Sequence, residues 1–348
     1  MQSTVNLYLE GIEFDNPQVS EDIFLFPILS KLDSGPDYIC LQEALDLGVI
    51  VISEIGEGGS VPELKAVNKG KQPILIVDGE ELIGAKQNRV VNTTIMLAPE
   101  TTTIIPVSCV EAGRWSYSKD SKIFSKSENV MPESARKEKI KQVDASLKRN
   151  SQYKACQSEI WDDVERDLNY LRIASSTAAM AEIFEKKEKD LNDYLKDFSI
   201  VPEQKGILVF FNGKPVGLEF ISKDIVFKKM YNKILKSYVI EALKEKEIQK
   251  YRMSNKETKE IEKNKEEKII PTIEHAKDFI NKAKKCKEAI YDSIGMGKSY
   301  RYHGEKIVGA ALGVDDSVPH MVFLTDENDD DTNYYDRNFQ RRRFTDYY

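Results

Sequence analysis

Histidine is nearly absent from this chain, with only His275, His303 and His320 among 348 residues. A metal centre built on several imidazoles is therefore not expected and no metal ligands are assigned, although carboxylates remain able to hold a hard cation. Cysteine is equally sparse. Cys40, Cys109, Cys156 and Cys286 lie far apart, with no Cys-x-x-Cys pair. That excludes the common zinc spacings and points to reduced thiols in a cytoplasmic setting. No apolar run approaches the roughly 20 residues that span a bilayer, so no membrane insertion is expected. Residues 1–10 lack the basic region and apolar core of a signal peptide, so none is expected. An excess of positive charge is also missing. Lys and Arg number 51 against 58 Asp and Glu, a formal net charge of -7, which disfavours general nucleic-acid binding.

What is present is a globular composition with a heavily charged surface: 41% hydrophobic and 31% charged residues. The length allows a sizeable core. The pattern along the chain predicts an α+β fold, with a β-rich N-terminal part, a helical middle and later hairpins joining the same assembly. A single domain is expected over residues 1–325: β-rich over 1–120, helical over 132–200 and mixed over 205–325. Val5–Leu9 alternates like a strand. Val49–Ser53, Pro73–Val77, Val90–Leu97 and Thr101–Glu111 are β-branched and apolar, as half-buried strands should be. Pro132 sits where a first-turn proline is tolerated, opening a long charged helix to about Arg149. Ile160, Val164, Leu168 and Leu171 recur at helical spacing. Ser175 to Thr177 then precede a stripe of Met180, Ile183, Phe184, Leu191 and Leu195. Ile207–Phe211, Asn212-Gly213 and Pro215–Ile221 read as strand, turn, strand. A strong helix follows through Phe227, Met230, Ile234, Tyr238 and Ala242. Pro271-Thr272 restarts a helix reaching Ile290, and strands Ser299–Tyr302, Lys306–Leu312 and Pro319–Leu324 close the pattern.

Two segments carry few apolar residues. Lys244–Lys268 is dominated by Lys and Glu and reads as a solvated helix extension or a mobile insertion. The tail over 326–348 is acidic, then rich in Tyr and Arg, and is expected to be flexible. Both favour a protein partner, through the tail above all, or a second copy of the chain.

Three turns share a shape: Asp78-Gly79 before Gly84, Asn212-Gly213 before Gly217, and His303-Gly304 before Gly309. Each supplies a turn residue and a glycine, then a glycine where another backbone can approach. They are read either as independent hairpins or as hairpins at one rim of a shared sheet. Gly295-Met296-Gly297-Lys298-Ser299 is not a phosphate loop. The motif requires glycine where Asp292 stands, and a helix is expected before it, where a strand should be. These glycines are read as capping that helix.

The densest chemistry lies between Gly79 and Tyr117. Glu80, Glu81, Lys86, Gln87, Asn88 and Arg89 are followed by Cys109, Glu111, Arg114, Trp115 and Tyr117. Alternation places Ile105, Val107, Cys109 and Glu111 on one strand face. A carboxylate at the end of a buried face favours its proton unless a cation compensates, and Arg114 is the nearest candidate. A structural Glu111–Arg114 ion pair and a functional acid or base stand as equal readings. Lys86 and Arg89 are placed to face an anion, with arginine able to grip phosphate through two parallel bonds. Trp115 either stacks on a base or covers the core. Cys109 is read as a buried small hydrophobe, His303 as a turn residue and His320 as a satisfied core histidine within an apolar strand.

The stretch from Asp78 to Arg89, followed by Ile105-Pro106-Val107-Ser108-Cys109-Val110-Glu111-Ala112-Gly113-Arg114-Trp115, resembles the family named for its association with ADP-ribosylglycohydrolases and rhodanese-phosphatase proteins. Gln157 with Trp161, Gly206–Gly217, Ser237-Tyr238 with Glu241-Ala242, and Val318–Leu324 are similar too. The resemblance runs from about Tyr38 to Leu324 and implies a role near NAD-derived or ADP-ribose metabolites, without implying a reaction or a cofactor. The leading expectation is recognition or processing of a small phosphate-bearing, nucleotide-like metabolite. Lys86, Gln87, Asn88, Arg89, Arg114 and Trp115 would bind it. If there is catalysis, Glu111 is the acid or base, with Glu80 or Glu81 assisting. The alternative is a non-enzymatic scaffold or adaptor acting through its charged insertion and tail.

Overall fold

In a computed structural model the chain is described over residues 3–56, 60–117, 122–254 and 269–326. The rest of the 244–268 insertion beyond residue 254, and the tail from residue 327, lie outside the described residues. Eight helices and eighteen strands are present among those described, in the expected α+β arrangement.

Nine strands form one antiparallel sheet. Across it run Glu13–Phe14, Ile23–Leu29, Gly206–Phe211, Lys214–Ile221, Ser317–Thr325, Ile307–Val314, Lys298–His303 and Lys287–Asp292, with Gln18–Ser20 pairing beside Ile23–Leu29. The sheet therefore unites an early segment with hairpins from after residue 205. Period-two alternation divides its side chains cleanly. Phe24, Phe26, Leu208, Phe210, Leu218, Phe220, Met321 and Phe323 pack beneath helices Thr4–Glu10 and Ile273–Lys284. Ile23, Leu25, Ile207, Val209, Ile221, Val322 and Leu324 face the main core with helices Glu133–Asn150, Gln157–Tyr170 and Asp224–Ser254. Both faces are covered, so the strands read as nearly continuous apolar runs.

A second, six-stranded sheet curls on itself. Its order is Phe124–Val130, Glu80–Gly84, Arg89–Val91, Thr101–Cys109, Glu63–Asn68 and Ile50–Glu54. The two outer strands meet at the Ser53–Ile123 bridge, where the Glu54 amide donates to the Lys122 carbonyl at 3.3 Å. The result is a small barrel filled by Ile52, Leu64, Ala66, Leu82, Val91, Ile105, Val107 and Phe124. Between barrel and main core lies a three-stranded sheet of Ile39–Cys40, Ile74–Ile76 and Ile95–Leu97. Its Ile74, Ile76, Ile95 and Leu97 point to the barrel, and Cys40, Leu75 and Met96 to the main core.

Several local expectations change. Val5–Leu9 lies in a helix, because Val5, Tyr8 and Leu9 also satisfy helical spacing and bury together against the sheet. The strand before Asp78-Gly79 pairs with Ile95–Leu97 and Ile39–Cys40, not with the strand after it, so this turn is a corner between two sheets rather than a hairpin. Gly79 adopts φ +82°, and a side chain there would meet Arg136 Cδ at 2.9 Å. The other two similar turns are true hairpins, and the registers set both at one rim of the large sheet. The helix from Ile273 ends at Lys284, and Ile290 lies in an edge strand. Gly295 and Gly297 consequently lie in the turn between two strands, not in a helix cap. Lys244 is buried and pairs with Asp167 and Glu241 at 2.8 Å each, so the start of the charged segment packs as part of a long helix. Among the described residues no helix is long and apolar enough to cross a membrane.

Candidate functional site

The barrel places most of the motif residues at one end. Arg89 stands opposite Leu82 and Cys109 in its sheet, so its side chain enters the barrel. There it is fully buried, 3.5 Å from Glu54, and donates to the carbonyl and the side-chain oxygen of Gln87 at 3.2 Å each. Burial raises the neighbouring Cys109 thiol to about 11, so it stays protonated at neutral pH.

Two loops interlock over this end. Gln87 Nε2 donates to the Glu111 carbonyl at 2.8 Å, the Asn88 amide to Glu111 Oε2 at 3.1 Å, and the Val110 amide to the Asn88 carbonyl at 3.0 Å. Arg114 clamps them. Its Nε and Nη2 grip Glu111 at 2.8 and 2.5 Å, its Nη1 reaches the Ala85 and Ser116 carbonyls, and its Nη2 also reaches Asn88 Oδ1. A guanidinium has five N–H donors, and these five bonds engage all of them.

Above the clamp lies a rim of aromatic and cationic side chains. Trp115 is 49% exposed, with the Arg89 guanidinium 5.8 Å from its ring centroid. Lys86 Nζ lies 5.2 Å from the Trp115 centroid and 5.3 Å from that of Tyr117. Both distances fall within the range of cation–π attraction. Lys86, Gln87, Asn88, Arg89, Glu111, Arg114 and Trp115 are thus brought together. Glu80 and Glu81 are directed elsewhere. Glu80 accepts from Lys233 Nζ at 3.0 Å and from the Val77 amide at 2.8 Å. Glu81 accepts from Ser127 and Asn129 on the outer face of the barrel, and burial pushes its carboxyl up to about 7.

A second polar assembly lies where barrel and large sheet meet. One row across the sheet reads Ile207, Glu219, Val322, Ala310, Arg301, and the next contains Ile221, His320, Leu312 and Ser299. Glu219, His320 and Arg301 therefore share the face toward the main core. Arg136 grips Glu219 through two bonds of 3.0 and 2.7 Å. His320 Nε2 lies 2.8 Å from Glu219 Oε1, and its Nδ1 lies 2.8 Å from Thr94 Oγ1. An ionised Glu219 accepts from Nε2–H, and Nδ1 shares the second bond with the Thr94 hydroxyl. Burial works against that ionisation, but Arg136 and His320 hold Glu219 below the usual carboxylate range. Lys139 Nζ donates to Asp78 at 2.5 Å and to the Val91 carbonyl at 3.1 Å, and the Asp78 amide donates to Thr94 Oγ1 at 3.1 Å.

Of this second assembly, sequence reading reached only His320, which is satisfied as expected, and Asp78 as a turn residue. Thr94, Arg136, Lys139, Glu219 and Arg301 were missed. The available signal was a charged residue at a core-facing strand position: Glu219 between Leu218 and Phe220, and Arg301 between Tyr300 and Tyr302.

A family model described as the ARG and Rhodanese-Phosphatase-superfamily-associated Protein domain matches residues 11–324. No curated protein and no solved structure matches the chain.

Proposed function

The chain belongs to the ARG and Rhodanese-Phosphatase-superfamily-associated Protein domain family, and from that premise we propose that it recognises a small, phosphate-bearing metabolite of the NAD or ADP-ribose class at the open end of the barrel. The observation that carries the reading is the rim itself, with a half-exposed Trp115 beside the Lys86 ammonium and Tyr117. A planar base stacks on such an indole, and a lysine supplies a point charge to phosphate. Arg114, Glu111, Gln87 and Asn88 serve as the frame, because their polar atoms hold the two loops to each other. Arg89 lies beneath Trp115 and supports it.

Recognition is favoured over turnover by the state of the carboxylates. Both oxygens of Glu111 are engaged, as are both of Glu80, and Glu81 faces away from the rim. A general base needs an acceptor within reach of the substrate.

Calorimetric titration with ADP-ribose, NAD, ADP and ribose tests the reading. Binding of the phosphate-bearing ligands, lost in Trp115→Ala and weakened in Lys86→Ala, supports it. Absence of binding by the whole set, with both variants folded, removes the metabolite reading and leaves the adaptor ahead.

A further inference from the structure

Lys287–Asp292 ends the large sheet, and among the described residues no strand lies beyond it. The two ends of the sheet differ. At the other end, Glu13–Phe14 and Gln18–Ser20 are two and three residues long with Pro17 between them, so that edge offers little to pair with. Lys287–Asp292 has six residues, no proline, and a register with Lys298–His303 that runs without a bulge. An edge of this kind is a template for another strand, because its outward N–H and C=O groups have no ladder partner.

The neighbouring ladders fix which groups those are. The Gly304 amide donates to the Ile307 carbonyl at 2.7 Å. By the alternation of an antiparallel pair, Lys298, Tyr300 and Tyr302 then bond to Ile307–Val314, and Ser299, Arg301 and His303 bond to Tyr291, Ala289 and Lys287. The Ser293 amide donates to the Gly297 carbonyl at 3.4 Å, which continues the same phase. Glu288, Ile290 and Asp292 therefore turn their backbone groups outward. The Asp292 carbonyl is taken by the Tyr153 hydroxyl at 2.7 Å. Glu288 and Ile290 each keep an amide and a carbonyl on the open edge.

The side chains suit a particular partner. Lys285 and Lys287 are exposed at the start of the strand and Asp292 at its end. Ile290, near the centre, is 54% exposed. The Glu288 carboxylate is drawn onto the sheet, where it accepts from Ser3 at 2.5 Å and Tyr302 at 2.7 Å. A strand that is basic at one end, acidic at the other and apolar between is complementary to itself when antiparallel.

We propose that Lys287–Asp292 pairs with the same strand of a second copy of the chain, antiparallel about a two-fold axis at Ala289, so that two large sheets become one. In that register Glu288 and the partner's Ile290 exchange backbone bonds. Lys287 lies opposite the partner's Tyr291, and Asp292 falls between the partner's Lys285 and the partner's Lys287. A shift of one residue would set outward groups against inward ones. A register centred on Ile290 would set Glu288 against the partner's Asp292, a like-charge pair, and would need the carbonyl that Tyr153 holds. The contact uses no residue of the rim at Trp115 and does not depend on the metabolite reading.

Sedimentation velocity of the full chain tests the pairing. Two short strands bury less than a standard interface, so a weak dimer is expected: a reversible rise toward twice the 39.8 kDa chain mass as concentration goes from about 1 µM to about 300 µM. Ile290→Pro removes an outward N–H and spares the ladder to Lys298–His303, so it should hold the chain monomeric. Ile290→Glu keeps the N–H but sets a carboxylate against the partner's Glu288; it should do the same, and it keeps the test open if Ile290→Pro does not fold. Ala289→Cys should add a disulfide-linked dimer to the wild-type pattern under mild oxidation, because the axis places that residue opposite itself, whereas Ile290→Cys should not. A chain that stays monomeric throughout would overturn self-pairing and leave a foreign extended segment as the occupant of the edge. A dimer unchanged by both the Pro and the Glu variants would place the interface elsewhere, and cross-linking through Ile290→Cys but not Ala289→Cys would overturn the register.

Discussion

The barrel mouth and the barrel–sheet junction use similar residue types in opposite ways. At the mouth, Arg114 commits five donors to partners no more than 29 positions away in sequence, and the site stays part-exposed. At the junction, Arg136 reaches Glu219 across 83 positions and Arg301 reaches Thr93 across 208, and every member is buried. The mouth is therefore a local frame beside a half-exposed Trp115. The junction joins distant parts of the chain, so its polar bonds depend on the assembled fold and help fix it. A cluster of charge in sequence marks the first kind of site. Only the fold reveals the second.

The largest expected effect breaks the junction. Arg136→Ala leaves Glu219 buried without its guanidinium and should cost about 3–5 kcal/mol, read by chemical denaturation. Arg136→Met with Glu219→Leu removes both charges and should recover most of that loss. A small loss in the single variant would mean that water reaches Glu219 and that the junction resembles the mouth.

The next effect is electrostatic. Burial raises Glu81, Glu133 and Asp163 to about 7 each. An acid whose folded pKa is raised contributes most below its unfolded pKa, and that contribution is lost as pH rises through the folded value. Stability from these groups should fall between about pH 4.5 and pH 7. Glu81→Gln should therefore gain on wild type as pH rises from 5 to 8, by at most about 3 kcal/mol. Glu219 works in the other direction, since its pKa is lowered, and its contribution is lost only in acid. Parallel pH profiles of wild type and Glu81→Gln would show that Glu81 does not titrate in this range.

A smaller effect belongs to the mouth. Arg114→Ala should cost about 1–3 kcal/mol, the scale of charged hydrogen bonds. Hydrogen exchange should rise within residues 85–88 and 110–117 and stay unchanged in the large sheet. Exchange rising throughout would make the clamp part of the global core. The smallest effect on stability is Trp115→Ala, within about 0.5 kcal/mol for an exposed position, although ligand binding there should be lost.

This contrast also explains what the sequence made legible. The later hairpins announced themselves through Asn212-Gly213 and apolar runs such as Ile207–Phe211, because turn chemistry and strand patterning are local. The convergence of Lys86 to Arg89 with Glu111 to Trp115 was legible for the same reason. Val5–Leu9 misled, since five residues satisfy both the strand and the helix period and only packing against the sheet decides. The Asp78-Gly79 corner misled because a turn residue does not say which strands pair on either side. Arg136 and Lys139 sit on the long charged helix, and its charge alone did not show that both face the sheet, where they pair with Glu219 and Asp78.

Fluorescence tests the recognition claim most directly. The chain has two tryptophans, and Trp161 has no hydrogen bond on its indole nitrogen. Trp161→Phe therefore leaves Trp115 as the single indole emitter at little structural cost. Titration of that variant with ADP-ribose should change Trp115 emission saturably, and the change should weaken in Lys86→Ala. Emission that stays constant to millimolar ADP-ribose, NAD and ADP, with no calorimetric heat, would contradict recognition at the barrel mouth.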